Sequence, residues 1–98
     1  MWRHGDVLIA AISEIPTGAT PRPGTILAYG EITGHSHRLR NPESAELWEA
    51  SGQLFLCIRA ESATVVHEEH KPITLPRGTY RVWMQREYTP SEIRTVVD

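Results

Sequence analysis

The stretch Tyr80-Arg81-Val82-Trp83-Met84-Gln85-Arg86-Glu87-Tyr88 decides the fold class, because it is the longest alternating segment of the chain. Successive side chains of a β-strand point to opposite faces. Tyr80, Val82 and Met84 therefore share one face with Arg86, and the other face carries Arg81, Trp83, Gln85 and Glu87. Periodicity of this kind predicts a strand over Thr79–Tyr88.

Elsewhere in the chain, short apolar or alternating runs recur and are separated by Gly, Pro and polar residues. This pattern is typical of an all-β protein. We predict a single domain over residues 1–98, a small barrel or sandwich of short antiparallel strands. Besides Thr79–Tyr88, the predicted strands are Asp6–Ile12, Thr25–Ile32, His35–Leu39, Glu46–Glu49, Gln53–Arg59, Ala63–His67, Ile73–Leu75 and Arg94–Val97.

Two segments predict exposed loops, Pro16–Gly24 and Asn41–Ser44, because Pro, Gly and polar residues cluster there. Ser91–Ile93 predicts the start of a short helix, with Ser91 as its cap.

Size and charge limit the function classes. The chain has 98 residues and a net charge of −2, so no global positive field attracts long duplex nucleic acid. A domain this small cannot enclose a large ligand, which would bind in a surface groove or between subunits. Lys71 is the only lysine among the ten basic residues, and the arginines present a planar fork suited to phosphate or carboxylate.

The location expected for the protein is the cytoplasm. Cys57 is the only cysteine, so no intrachain disulfide forms, which favours a reducing compartment. The longest apolar run, Val7 to Ile12, is too short to cross a bilayer, and no basic-then-apolar leader opens the sequence. We therefore expect no membrane partner.

Four of the five histidines fall in two clusters, Gly34-His35-Ser36-His37-Arg38 and His67-Glu68-Glu69-His70-Lys71. In a strand His35 and His37 share a face, and Gly34 before them suggests a bulge or a close backbone approach to a ligand. His67 and His70 converge if they lie in a turn, where the adjacent glutamates can support them. Imidazole suits proton transfer near neutral pH, so the catalytic candidates are His35, His37, His67 and His70.

Metal binding is one chemistry open to this set. Zincin proteases are excluded, because their histidines lie four apart on a helix and His67 and His70 are three apart. If the site holds a metal, the expected ligands are His35, His37 and His70.

The chain shows a partial resemblance to the cupin family. His35-Ser36-His37 is similar to the paired histidines of the first cupin motif, with Glu43 as its glutamate, and Pro76-Arg77-Gly78 is similar to the start of the second. Arg81 stands where the last cupin ligand belongs, and the spacings of the first motif differ. The resemblance implies a metal-binding protein or metalloenzyme.

The second chemistry is metal-independent phosphodiester cleavage, for which we predict no cofactor. One imidazole removes the proton from a ribose 2′-hydroxyl, another protonates the leaving 5′-oxygen, and a cation stabilises the charge that develops. The expected substrate-binding residues are His4, Arg38, Lys71, Arg86 and Tyr88.

The chain also resembles the small ring nucleases of mobile genetic elements, which degrade cyclic oligoadenylate in type III CRISPR defence. The resemblance rests on Gly30-Glu31-Ile32-Thr33-Gly34-His35-Ser36-His37-Arg38, His67-Glu68-Glu69-His70 and Gln85-Arg86-Glu87-Tyr88. It implies a homodimer that holds a small anionic cyclic nucleotide at its two-fold axis, where each residue is presented twice. A third interpretation is a non-catalytic binding module whose histidines form a pH-sensitive surface.

Overall fold

The alternating segments of the chain form strands of an antiparallel sheet. The computed structural model describes residues 1–30 and 32–85, and within them every regular element except one 3-10 turn is a strand, so the all-β prediction is confirmed. The strands are β1 (Trp2–His4), β2 (Val7–Ile12), β3 (Thr20–Arg22), β4 (Ile26–Tyr29), β5 (Ser36–Leu39), β6 (Ala45–Ala50), β7 (Gln53–Val66) and β8 (Ile73–Met84). The 3-10 turn, Pro42–Ser44, lies just before β6.

The sheet has the strand order β1-β2-β8-β7-β5-β4, and β6 also pairs with β7 and carries β3 on its other side. All pairs are antiparallel. The two longest strands, β7 and β8, pair from Leu54 opposite Val82 to Val65 opposite Ile73. On its other edge β7 pairs first with β6 and then with β5, so β5 lies beside the end of β7.

The core lies on one of the two faces into which the alternating pattern divides β8. Tyr80 and Val82 of β8 are buried, whereas Arg81 between them is only partly buried. They pack with buried aliphatic residues of neighbouring strands, of which Ile9, Leu56 and Val65 are fully enclosed. The described residues contain no helix long and apolar enough to cross a membrane.

Two pairs of predicted strands are joined in the structure. Gln53–Arg59 and Ala63–His67 form the single strand β7, with a register irregularity between Ile58 and Ser62 where the break was expected. Ile73–Leu75 and the beginning of Thr79–Tyr88 likewise form β8, although Pro76 lies between them. Proline is tolerated there because β2 pairs only with residues 79–84, so this part of β8 has a neighbour on one side.

Two short strands were missed by the sequence analysis. β3 lies inside Pro16–Gly24, which was predicted to be a loop throughout. β1 forms a tight hairpin with β2 in which His4 is opposite Val7, so Gly5 and Asp6 make a two-residue turn. Gly5 has φ +63°, which glycine adopts without strain and which such turns require.

The predicted loop Asn41–Ser44 contains the 3-10 turn, and its Ser44 is buried rather than exposed because its hydroxyl donates to the carbonyl of Asn41. The predicted strand Arg94–Val97, the helix start at Ser91–Ile93 and the end of Thr79–Tyr88 lie outside the described residues.

Candidate functional site

All five histidines meet at one place, which we call the histidine cluster (His4, His35, His37, His67 and His70). They come from three separate segments: the end of β1, the beginning of β5, and the connection between β7 and β8. Ring centroids lie 4.3 Å apart for His37 and His67, 4.7 Å for His67 and His70, and 5.7 Å for His35 and His67. The two clusters seen in the sequence are therefore in contact.

Strand register accounts for the contact between the two clusters. Arg38 of β5 is opposite Val66 of β7, and Leu39 is opposite Val65. Extending this antiparallel register by one residue places His37 opposite His67, and directly opposed residues of neighbouring strands interact side by side. The connection after β7 then turns back, which brings His70 to the same side as His67.

A chain of two hydrogen bonds sets the tautomers of His4 and His37. Nε2 of His4 lies 2.9 Å from the carbonyl oxygen of Lys71, and its Nδ1 lies 2.9 Å from Nδ1 of His37. Because a carbonyl oxygen can only accept, Nε2 of His4 carries the proton, and its Nδ1 accepts from Nδ1–H of His37. We therefore assign the lone pair of His37 to Nε2, which this chain leaves free for chemistry.

Burial keeps these two imidazoles neutral. His4 is 2% exposed and His37 is 4% exposed. Burial, followed by the nearby rings of His67, His4 and His70, lowers the pKa of His37 to about 4. Burial also lowers the pKa of His4, although the hydrogen bond to Lys71 opposes the change. Both rings therefore present lone pairs rather than positive charge at pH 7.

The tautomer of His67 differs from that of His37. The backbone N–H of Glu69 donates to Nδ1 of His67 over 2.9 Å, so the neutral ring carries its proton on Nε2. Burial, and then the charge of His70, lower the pKa of His67. His37 thus offers a free acceptor at Nε2, whereas His67 offers a donor.

Two glycines allow the rings to approach the backbone. A Cβ atom on Gly5 would lie 2.8 Å from Nε2 of His70 and 3.0 Å from Cε1 of His37, and one on Gly30 would lie 3.0 Å from Nε2 of His67. Gly34 lies in the turn before β5, with φ +90° and open space where a Cβ would stand, so its predicted close approach to a ligand stays a prediction.

The rings of His35, His37, His67 and His70 line an open pocket of about 250 Å³. Its described lining includes the carboxylates of Asp6 and Glu69 but no lysine or arginine. Tyr29 and Ile32, which are 68% and 52% exposed, also contribute to the wall. The pocket is thus rich in imidazole nitrogens, and its charged lining residues, Asp6 and Glu69, are acidic.

The residues predicted to bind substrate lie in different places. His4 is enclosed behind His37, where it supports that ring. Arg38 is not among the residues that line the pocket; it contacts Glu68 at 3.0 Å and donates to the carbonyl oxygen of Ser36 at 2.8 Å. The backbone carbonyl of Lys71 accepts the hydrogen bond from Nε2 of His4. Arg86 and Tyr88 lie outside the described residues.

Glu68 is held by the strand beside it. Its Oε1 accepts the backbone N–H of Ser36 at 3.1 Å, and its Oε2 pairs with Arg38. Backbone hydrogen bonds and this guanidinium lower the pKa of Glu68 to about 2. Glu69 lies nearer the imidazoles, with Oε2 3.8 Å from Nδ1 of His35, which is too long for a hydrogen bond.

Two groups of side chains have the ligand types and proximity for a metal ion. The first is His37, His67 and His70, and the second is His35, His67 and Glu68, each with ligand atoms within 4.8 Å of one another. Bonds of 2.0–2.1 Å in a tetrahedral site separate ligand atoms by about 3.4 Å, so side-chain movements of about 1 Å or less would close either group. The sequence analysis predicted His35, His37 and His70 as ligands, and in the first group His67 takes the place of His35.

The sequence analysis missed the supporting residues. Gly5 and Asp6 carry a signal that could have been recognised, because Gly-Asp between apolar runs is typical of a two-residue hairpin. Tyr29, Gly30 and Ile32 carry no comparable local signal, since only the folding of β4 onto β5 brings them to the pocket.

Comparison with known proteins supplies a family but no activity. A family described as a domain of unknown function (DUF8820) matches residues 3–85. No curated protein and no solved structure matches the chain. The matched residues contain all five histidines and every described strand except the first residue of β1. The chain therefore belongs to the DUF8820 family, and its histidine cluster lies within the matched domain.

Proposed function

We propose that this protein binds a divalent transition-metal ion through His37, His67 and His70 and uses it in hydrolysis. The observation that carries the proposal is the convergence of three imidazoles, with ligand atoms within 4.8 Å of one another, at the wall of an open pocket. Three protein ligands with a further position open to solvent are typical of catalytic rather than structural zinc sites.

The donor set suits such an ion. Metal ligands must be deprotonated, and His37 is held neutral with its lone pair on Nε2. Its other nitrogen donates to His4, which in turn donates to a carbonyl, an arrangement that orients metal-bound imidazoles in known sites. His67 becomes a ligand when it releases the N–H of Glu69 or loses its own Nε2 proton.

Pocket charge favours a metal over bare imidazoles for an anionic substrate. Arg38 is paired with Glu68, and the described lining offers carboxylates but no cationic side chain. A small anionic nucleotide, the substrate predicted from the sequence, would meet repulsion there unless a metal ion supplied positive charge. When bound, such an ion polarises a phosphoryl oxygen and lowers the pKa of a coordinated water.

A second candidate is the metal-independent phosphodiesterase predicted from the sequence, including cleavage of cyclic oligoadenylate. The complementary tautomers favour it: His37 presents an acceptor at Nε2 and His67 a donor at Nε2, as a general base and a general acid require. In this mechanism His37 removes the proton from the attacking hydroxyl and His67 protonates the leaving oxygen.

Metal titration tests the first proposal. Protein freed of metal with a chelator is titrated with Zn²⁺ in competition with a dye of known affinity. We expect stoichiometric binding that His37→Ala, His67→Ala and His70→Ala each weaken by at least tenfold. Cys57→Ser is the matched control, because Cys57 is the only thiol and lies outside both ligand groups. Absence of binding, or loss of binding in the control, would contradict the proposal.

Activity with and without chelator separates the two candidates. Cyclic oligoadenylates and short RNAs are incubated with metal-free and with Zn²⁺-loaded protein. Cleavage only by the loaded protein supports the metal centre, and equal cleavage by both supports the metal-free mechanism. Binding without cleavage supports the third interpretation, a binding module. The predicted homodimer and cytoplasmic location stay predictions, which sedimentation and cell fractionation test.

A further inference from the structure

We propose that the histidine cluster holds two metal ions, the second bound by His35, His67 and Glu68, with His67 shared between them. This inference rests on the proposed function, because the first ion is the one bound by His37, His67 and His70. The two groups each bring their ligand atoms within 4.8 Å of one another, and His67 is the one residue that they have in common.

The composition of the second group suits a metal ion. Two imidazoles and one carboxylate make the two-His, one-carboxylate set that binds divalent metals while leaving coordination positions open. Glu68 is fixed for this role, since each of its oxygens already accepts one hydrogen bond or ion pair, from Ser36 and Arg38, and keeps a further lone pair. Its orientation therefore does not depend on the ion.

His35 lacks a partner that this second ion would supply. Within the described part of the chain, Nδ1 of His35 is buried with no hydrogen bond, and the nearest carboxylate oxygen, on Glu69, lies 3.8 Å away. A buried polar nitrogen without a partner is uncommon, because it has lost its hydrogen bonds to water. An ion bound through Nδ1 of His35 would give this nitrogen its partner.

The space around His35 and His67 is kept open by a glycine. A Cβ atom on Gly30 would lie 3.0 Å from Nε2 of His67 and 3.1 Å from Cβ of His35. Any larger residue at position 30 would push the ring of His67 and the Cβ atom of His35, so the glycine permits the spacing on which the second group depends.

Sharing of His67 follows from imidazole chemistry. Each ring nitrogen can donate a lone pair to one ion once the remaining N–H proton of His67 has been released to solvent. Nδ1 must also release the backbone N–H of Glu69, which is exposed and can bind water instead. The second ion adds positive charge to the pocket, whose charged lining residues, among those that the structure describes, are acidic.

Stoichiometry tests the inference separately from the proposed function. Metal-free protein is titrated with Zn²⁺, and the bound ions are counted by native mass spectrometry and elemental analysis. We expect two ions per chain in the wild-type protein and one in His35→Ala or Glu68→Gln. Glu61→Gln is the matched control and keeps two, because Glu61 is an exposed residue of β7 that lies outside both ligand groups. One ion in the wild-type protein overturns this inference alone, and no bound ion overturns the proposed function as well.

Two further readouts complete the test. Circular dichroism and thermal unfolding establish that each variant is folded; if Glu68→Gln unfolds because Arg38 loses its partner, His35→Ala decides. Protein loaded with two Cu²⁺ ions should give a weaker electron paramagnetic resonance signal than two isolated ions, because a shared imidazolate couples them magnetically. Two ions retained by His35→Ala, or an uncoupled signal, would overturn the proposal.

Discussion

Replacement of Gly5 by alanine should weaken metal binding without touching any ligand. An added Cβ would lie 2.8 Å from Nε2 of His70, whereas ordinary contact begins near 3.4 Å. The His70 ring must therefore move by about 0.6 Å away from Gly5, a displacement comparable to the movement of about 1 Å or less that would close the ligand group around an ion. We expect the Zn²⁺ affinity to fall by about 10- to 100-fold, as for other disturbed metal surroundings.

Gly18→Ala is the matched control for this substitution. Gly5 and Gly18 both have positive φ, at +63° and +92°, but a Cβ on Gly18 would meet nothing within 4 Å. Both variants should lose about 1–2 kcal/mol of stability from backbone strain. Zn²⁺ affinity is measured by dye competition and stability by urea unfolding. Equal Zn²⁺ affinities for the two variants would refute the assignment of His70 as a ligand at this position.

Three further predictions concern support of the site, pH and the core. His4→Ala should lower Zn²⁺ affinity about 10- to 100-fold, because His37 loses the acceptor that orients it; an unchanged affinity in dye competition would contradict this role. Metal-free protein should lose stability as the pH falls from 7 to 5, because burial lowers the pKa of His37 to about 4 in the folded state while the unfolded chain binds protons near 6.5. At pH 5 the unfolded state therefore holds more protons than the folded state, and His37 alone lowers the free energy of unfolding by about 2 kcal/mol. Urea unfolding at pH 7 and pH 5 measures this difference, and equal free energies at the two pH values would be inconsistent with it. Leu56→Ala should cost about 2–5 kcal/mol in the same assay because Leu56 is fully buried, whereas Ile32→Ala, half exposed, should change stability by no more than about 0.5 kcal/mol.

The fold was predictable where the side-chain pattern is local. Alternation separated the two faces of β8, and the structure places the face with Tyr80 and Val82 in the core. The continuity of β7 through residues 60–62 was not predictable, because it depends on the pairing with β8 before and after the register shift rather than on these residues themselves. β1 was missed because a three-residue strand gives too short a pattern to recognise.

The candidate site was predictable in composition but not in arrangement. The spacing of His67 and His70 indicated convergence in a turn, and their rings do lie 4.7 Å apart. The role of Arg38 was expected to be substrate binding, but in the structure it pairs with Glu68, which the order of residues alone does not specify. The groups that could hold a metal likewise depend on the positions of five rings in space.

The amino-acid order alone therefore determines an all-β chain with two histidine clusters, because a period of two residues and the conformation of a short turn are local properties. Tertiary structure decides that His37 stands opposite His67, that His4 hydrogen-bonds to His37, and that no described arginine or lysine faces the pocket. These features arise from pairing between strands distant in the chain, where register is set by burial of whole faces rather than by neighbouring residues.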